Sequence, residues 1–153
     1  LNMKPGIDYI GVSVTFWCHD GQGNFLLHKR GKKARDEHGT WDHGGAMLEF
    51  GEQLEDCALR EIEEEYGCKG RIETQLRPIT VLREFTGILT HWVNCSFVVR
   101  INREEAKINE PEKFDEIGWF KLDNLPQPFH KGASVCLAKN YDLLEKYAKP
   151  STQ

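Results

Sequence analysis

The sequence predicts an α/β (α+β) fold in which helices sandwich a mixed β-sheet. Three observations predict it. Runs of β-branched and aromatic residues are bounded by Gly, Pro and Asn; two segments show helical periodicity; and the order along the chain is strands, helix, strands, helix. The chain of 153 residues suits one domain, expected over 4–150.

Ile10 to Cys18 (IGVSVTFWC) reads as a strand, Asp20-Gly21-Gln22-Gly23 as a turn, and Phe25 to His28 as the partner strand of a hairpin. Gly31 to Gly39 reads as a basic loop carrying Lys32, Lys33 and Arg35. Trp41 to Gly51, with Gly44, Gly45 and Gly51, reads as an irregular loop. Leu54 to Tyr66 is the clearest helix. Acids at Glu52, Glu55 and Asp56 suit the positive end of its dipole, and Gly67 stops it. Glu55, Leu59, Ile62 and Tyr66 recur at helical spacing and form the stripe expected to face the core. Arg71–Leu76, Thr80–Phe85, His91–Ile101 and Ile117–Lys121 read as strands, with Asn102–Asp115 a loop and Gly87 a turn. Ala133 to Tyr147 reads as a second helix.

Composition narrows function. Hydrophobic residues make up 39% and charged residues 29%, and four Trp and eight Phe need burial, so the bulk of the chain is not disordered. No apolar run approaches the ~20 residues of a spanning helix, and no membrane partner is expected. Twenty Lys and Arg against 24 Asp and Glu give a net charge of −4, which argues against a nucleic-acid polymer as partner. The five cysteines (Cys18, Cys57, Cys68, Cys95 and Cys136) form no CxxC pair. They read as reduced thiols, and a cytoplasmic location is expected.

The chemistry concentrates on the first helix. Arg60-Glu61-Ile62-Glu63-Glu64-Glu65 holds four carboxylates in five positions. Glu61, Glu64 and Glu65 are spaced i, i+3 and i+4 and project from one face. By angle Cys57 and Ala58 share that face, so it is not the fully solvated one, which is assigned to Asp56, Arg60 and Glu63. Like charges so placed repel, and a hard divalent cation is the natural neutraliser. Mg²⁺ takes oxygen ligands and pairs one or two carboxylates with substrate phosphates. Phosphoryl transfer or hydrolysis is the chemistry suggested; a solvated acidic helix is the competing reading. Gly44-Gly45 and Leu48-Glu49-Phe50-Gly51-Glu52 run straight into this helix. Such a loop lets backbone carbonyls approach a metal closely.

The segment GGAMLEFGEQLEDCALREIEEEYGC, Gly44 to Cys68, resembles the signature of the Nudix hydrolases: Gly, five residues, Glu, seven residues, then Arg-Glu-apolar-x-Glu-Glu-x-Gly-apolar. Glu52, Arg60, Glu61, Ile62, Glu64, Glu65, Gly67 and Cys68 fall on it in register. One position departs. The first glycine of the pattern falls on Ala46, with Gly44-Gly45 just ahead. Either Ala46 replaces that glycine or the loop is re-registered so that Gly45 serves.

The resemblance implies an α/β/α sandwich and hydrolysis of a diphosphate linked to another moiety, with Mg²⁺ or Mn²⁺ as cofactor. Carried over by position, Glu61, Glu64 and Glu65 are the metal-binding carboxylates, and Gly45 offers a backbone carbonyl. Glu52 helps the metal shell or the water, and Arg60 orients a catalytic glutamate. Glu49 is a weaker candidate. A further carboxylate is expected from Glu110-Pro111-Glu112-Lys113, ahead of Gly118-Trp119-Phe120, with Glu112 the pick.

The same segment resembles the MutT-type branch. A small-molecule nucleotide is therefore expected: a (deoxy)nucleoside triphosphate, oxidised forms included, cleaved to the monophosphate and pyrophosphate. Lys29, Arg30, Lys32, Lys33 and Arg35 are basic candidates for the triphosphate. Two alternatives remain: an ADP-ribose or nucleotide-sugar pyrophosphatase, and a non-catalytic nucleotide-binding Nudix module. A homodimer is compatible with the family.

Overall fold

The structure is a computed structural model and describes residues 2–151. Eight strands form one mixed sheet. They are β1 (Gly11–His19), β2 (Asn24–Arg30), β3 (Trp41–Asp42), β4 (Gly45–Met47), β5 (Gly70–Gln75), β6 (Ile79–Phe85), β7 (Ile88–Ile101) and β8 (Phe114–Lys121). Helix α1 spans Leu54–Tyr66, and α2 spans Lys131–Leu144 and runs into a 3₁₀ turn at Glu145–Tyr147. β1 and β7 pair in parallel from Gly11↔Trp92 to His19↔Arg100. The remaining pairs are antiparallel.

The alternation of β1 builds both layers, because successive side chains of a strand point to opposite faces. Val14, Phe16 and Cys18 pack with Phe97, Val99 and the α1 residues Cys57, Ala58, Ile62 and Tyr66. Trp17 points the other way and packs with Phe25, Leu27, Val98 and the α2 residues Cys136 and Leu144. The sheet is thus covered on both faces, as the sequence order predicts.

Helix α1 has the predicted bounds. Gly67 adopts φ +66° and its N–H closes on the Glu63 carbonyl at 2.9 Å, a left-handed stop that glycine tolerates best. Its buried face is turned from the predicted stripe. Ile62 and Tyr66 are buried, but Cys57, Ala58, Glu61 and Glu65 complete the face, Leu59 is half-buried and Glu55 is exposed. The helix therefore carries two of its carboxylates inward.

Two other expectations are corrected. Trp41–Gly51 is not wholly irregular: β3 and β4 lie within it. These short strands exist because β2 and β1 supply their partners, a tertiary effect that local propensity does not encode. The second helix stops at Leu144, and Asn140 inside it leaves helical geometry (φ −123°). Its buried side chain accepts from the Arg77 N–H at 2.8 Å and donates to the Arg77 carbonyl at 3.2 Å. The amide thus ties α2 to the β5–β6 connection at the expense of helix regularity.

One feature of the sheet positions the site. The edge of β1 away from β7 is shared, with β4 taking Ser13–Thr15 and β2 taking Cys18–His19. The two partners diverge at Phe16, and a cavity opens where they part.

Candidate active site

The cavity has a volume of about 470 Å³, and its lining includes Gly44, Gly45, Glu61 and Glu65 together with Val81, Arg83, Trp92 and Asn94. Strand β1 contributes Ser13 and Thr15.

Among the carboxylates, Arg60 is the hub. Its Nε donates to Glu52 Oε2 at 2.7 Å, and its Nη1 donates to Glu61 Oε1 at 2.7 Å and to Glu64 at 3.3 Å. The expectation that Arg60 lies on the solvated face is corrected: these bonds turn its guanidinium inward along the helix. Glu52, Arg60, Glu61 and Glu64 thus form one connected group, with Glu49 at 3.8 Å from Arg60 on its margin. The Arg60 charge beside Glu52 holds that carboxyl at about 2. Glu64 is half exposed.

Glu65 is different. It is buried, and its Oε2 has no hydrogen-bond partner among the described residues. Burial, together with the charges of Glu61, Asp42 and Glu110, pushes its carboxyl well above the usual carboxylate range. Burial likewise raises Glu61, opposed by Arg60 and assisted by Glu64. A buried carboxylate without a donor is costly unless a cation neutralises it. Glu61, Glu64 and Glu65 on one helix form an all-oxygen donor set that fits a hard divalent ion.

The glycine pair abuts this group. A Cβ built on Gly44 would lie 3.0 Å from Glu65 Oε2 and 2.6 Å from the Phe16 ring. The ladder between β1 and β4 decides which carbonyl faces out. The Phe16 N–H bonds the Gly44 carbonyl at 3.2 Å, and the Leu48 N–H bonds the Val12 carbonyl at 3.0 Å. Hydrogen-bonded pairs alternate along an antiparallel ladder, so Val14↔Ala46 is bonded and Thr15↔Gly45 is not. The Gly45 carbonyl is thereby directed away from β1, whereas those of Gly44 and Ala46 are engaged by it.

The loop before β8 brings Lys113 to the cavity. Lys113 Nζ lies 3.3 Å from Glu110 Oε1. Neither Glu110 nor Glu112 lines the cavity; Glu112, the acid indicated by the sequence, is exposed, whereas Glu110 is half-buried, pairs with Lys113 and carries its charge toward Glu65. Both acids lie in the motif from which the sequence reading picks Glu112.

The lining also holds a polar cluster in which Arg30, a basic candidate from the sequence, is joined by acids that sequence reasoning missed. Arg30 donates to Asp42 at 2.9 Å and to Asp36 at 3.1 Å, and Arg83 donates to Asp36 at 2.7 Å and also to Glu37. His130 Nε2 lies 2.9 Å from Glu37. Asp36, Glu37 and His130 present ligand atoms within 4.8 Å of one another. Two guanidiniums already neutralise these acids, and His130 Nδ1 accepts the Ala133 N–H at 3.3 Å as the cap of α2. The cluster pins the 31–39 loop over the cavity, with Lys33 and Arg35 on its lining and Arg35 lying over the Trp92 ring at 5.3 Å. Lys29 and Lys32 are not part of that lining.

Comparison with known proteins bears on the family and the fold. A family model, the NUDIX domain, matches residues 10–139. The chain is similar to a MutT NUDIX hydrolase of Burkholderia pseudomallei, with 30% identity and a TM-score of 0.69 over 84% of this chain and 96% of that one. A NUDIX hydrolase of Nitrosomonas europaea shares the fold at 18% identity and a TM-score of 0.70, over 92% of this chain and 93% of that one. A UDP-X diphosphatase does so at 17% identity and a TM-score of 0.66, over 92% of this chain and 66% of that one.

Proposed function

The chain belongs to the Nudix hydrolases, enzymes acting on pyrophosphate bonds, and from that premise we propose that it cleaves a nucleoside triphosphate, oxidised forms included, to the monophosphate and pyrophosphate. The observation that carries this reading is the single cavity whose lining includes both Glu61 and Glu65 and the aromatic and amide groups of Trp92 and Asn94. A phosphate chain placed against the carboxylates leaves the rest of the lining for a nucleoside. The 30% identity to a MutT hydrolase supports the same choice.

Glu61, Glu64 and Glu65, with the Gly45 carbonyl, would hold Mg²⁺ or Mn²⁺. Nudix hydrolases generally use divalent metals, and the unpartnered Glu65 oxygen fits one. A divalent ion there supplies charge stabilisation for the phosphoryl oxygens as the anhydride bond breaks. The residues of the chain do the rest. Arg60 fixes the rotamers of Glu61 and Glu64 and anchors Glu52, which accepts the Glu49 N–H at 3.2 Å. Lys113 places positive charge beside the carboxylates, where phosphate oxygens need it, and Lys33 and Arg35 add positive charge to the rest of the wall. A further carboxylate comes from the loop before β8, with Glu110 placed ahead of Glu112 by its influence on Glu65.

The test is product analysis with Mg²⁺ across normal and 8-oxo nucleoside triphosphates, ADP-ribose and nucleotide sugars. Pyrophosphate released from triphosphates alone is expected. AMP from ADP-ribose, or a nucleotide from a sugar nucleotide, would retain the carboxylate site and replace the substrate. Binding without turnover by any of them would favour a nucleotide-binding module.

A further inference from the structure

A second concave surface lies at the opposite end of the sheet. It is a groove of about 690 Å³ whose charged lining comprises Lys69, Arg71, Arg100 and Arg103 against Asp20 and Glu104. Asn94 of β7 lines the cavity described above and Arg100 of the same strand lines this groove. At roughly 3.3 Å per strand residue, the two are about 20 Å apart, beyond the reach of one small ligand.

The arrangement is electrostatically unfavourable as it stands. Arg71 and Arg100 are direct cross-strand partners in the β5–β7 ladder, a placement in which like charges destabilise a sheet. No carboxylate lies within 4.0 Å of Lys69, Arg71 or Arg100 among the described residues. Glu73, further along β5, is bonded to His19 at 2.7 Å instead. Asp20 is committed too: it accepts from the Gln22 and Asn24 backbone N–H groups, from the Asn24 side chain and from Arg103 at 3.3 Å. The groove lining keeps an excess of two positive charges on a chain whose net charge is −4.

Two of the cations also make contacts. The Arg100 guanidinium packs against Gly21 so closely that a Cβ there would overlap it, and Gly21 holds φ +76°. Arg103 lies over the Trp119 ring at 5.1 Å and is held by Asp20. Anchored guanidiniums lose less freedom when they bind an anion than free ones do.

We propose that this groove is a second anion site, taking a small phosphate-bearing anion across the Arg71–Arg100 pair with Lys69 and Arg103 at its margins. Planar guanidinium forks match phosphate oxygens bidentately, and an anion between two opposed arginines turns their repulsion into attraction. The site is separate from the hydrolytic one and does not depend on which substrate that one takes.

The experiment is a titration of the metal-free chain with inorganic pyrophosphate at low salt, followed by amide chemical shifts, with inorganic phosphate and AMP as parallel arms. Shifts are expected at residues 69–71, 100–104 and Gly21, leaving 44–45 and 61–65 still, and they should weaken as salt screens the charges. Phosphate-only binding would identify a free oxyanion as the ligand; AMP binding of equal strength would identify a terminal phosphate. The R71A/R100A double variant should bind about tenfold more weakly or worse, with hydrolytic turnover unchanged and Tm no lower than that of the native chain, since the like-charge pair is removed, and K69Q should weaken binding by a smaller factor. E65Q should bind as the native chain does. Shifts confined to 61–65, unchanged affinity in the double variant, or no shift at millimolar pyrophosphate would overturn the proposal.

Discussion

Arg60 Nε donates to Glu52 Oε2 at 2.7 Å, joining the loop that enters α1 to the middle of that helix. The same guanidinium reaches Glu61 and Glu64. One planar cation therefore sets three carboxylates that would otherwise repel. Lysine offers a point charge and cannot reproduce this fork. R60K is expected to lower kcat by roughly 10–100-fold, the range seen when groups supporting a metal site are altered. Steady-state kinetics at saturating Mg²⁺ check it; unchanged kcat would show that the carboxylates hold their positions without the fork.

Glu65 separates stability from activity. Its buried carboxyl has an oxygen with no donor among the described residues, so neutralising it should relieve a desolvation cost while removing a proposed ligand. E65Q is expected to lower turnover by roughly 100-fold or more, as is E64Q. In EDTA, however, E65Q should melt a few degrees higher than the native chain. E64Q, at a half-exposed position, should leave Tm nearly unchanged. Calorimetry with and without metal distinguishes the two, and equal Tm for all three proteins would remove the argument from burial.

Much of this site was legible in the sequence because it lies on one helix. The spacing of Glu61, Glu64 and Glu65 fixes their common face, and Gly67 fixes where the helix ends. What the sequence did not reveal depends on contacts between distant segments. The inward turn of Arg60 requires Glu52 as its partner. That Glu110 rather than Glu112 reaches Glu65 with its charge depends on how the loop before β8 meets α1. The clasp of Asp36 and Glu37 with Arg83 and His130 joins a loop, β6 and the start of α2, which no local pattern announces. Likewise β3 and β4 exist only through their pairing with β2 and β1.

The ladder pairs Ala46 and Gly45 differently with β1, and this yields opposite expectations for the two neighbours. Ala46 lies opposite Val14 within the β1–β4 pairing, whereas a Cβ on Gly45 would lie 2.5 Å from the Val14 carbonyl. A46G should change kcat by less than about twofold and cost about 0.5–1 kcal/mol through added chain entropy. G45A should displace β4 from β1 and lose both stability and turnover. A large gain in rate for A46G would mean that the alanine handicaps the loop after all.

His28 makes the stability of the fold depend on pH in a defined window. Its ring is buried, stacks on Phe114 at 3.8 Å between centroids and shares a hydrogen bond with the Tyr66 hydroxyl at 2.7 Å. Burial, which disfavours the charged imidazole, lowers its pKa from 6.5 to about 4. In the unfolded chain the ring protonates near 6.5, so below that pH the unfolded state binds the proton that the folded state refuses. The stability from His28 is therefore complete above 6.5 and declines as pH falls toward 4, by about 3 kcal/mol in all. H28Q retains a polar group able to meet Tyr66 and has no proton to gain in this range. Denaturant melts of H28Q should show a shallower loss of stability between pH 6.5 and 4 than the native chain. Parallel curves for the two proteins would place the acid sensitivity elsewhere, with Glu37 the next candidate: its paired carboxyl, lowered to about 2, loses its contribution only as pH falls below about 4.5.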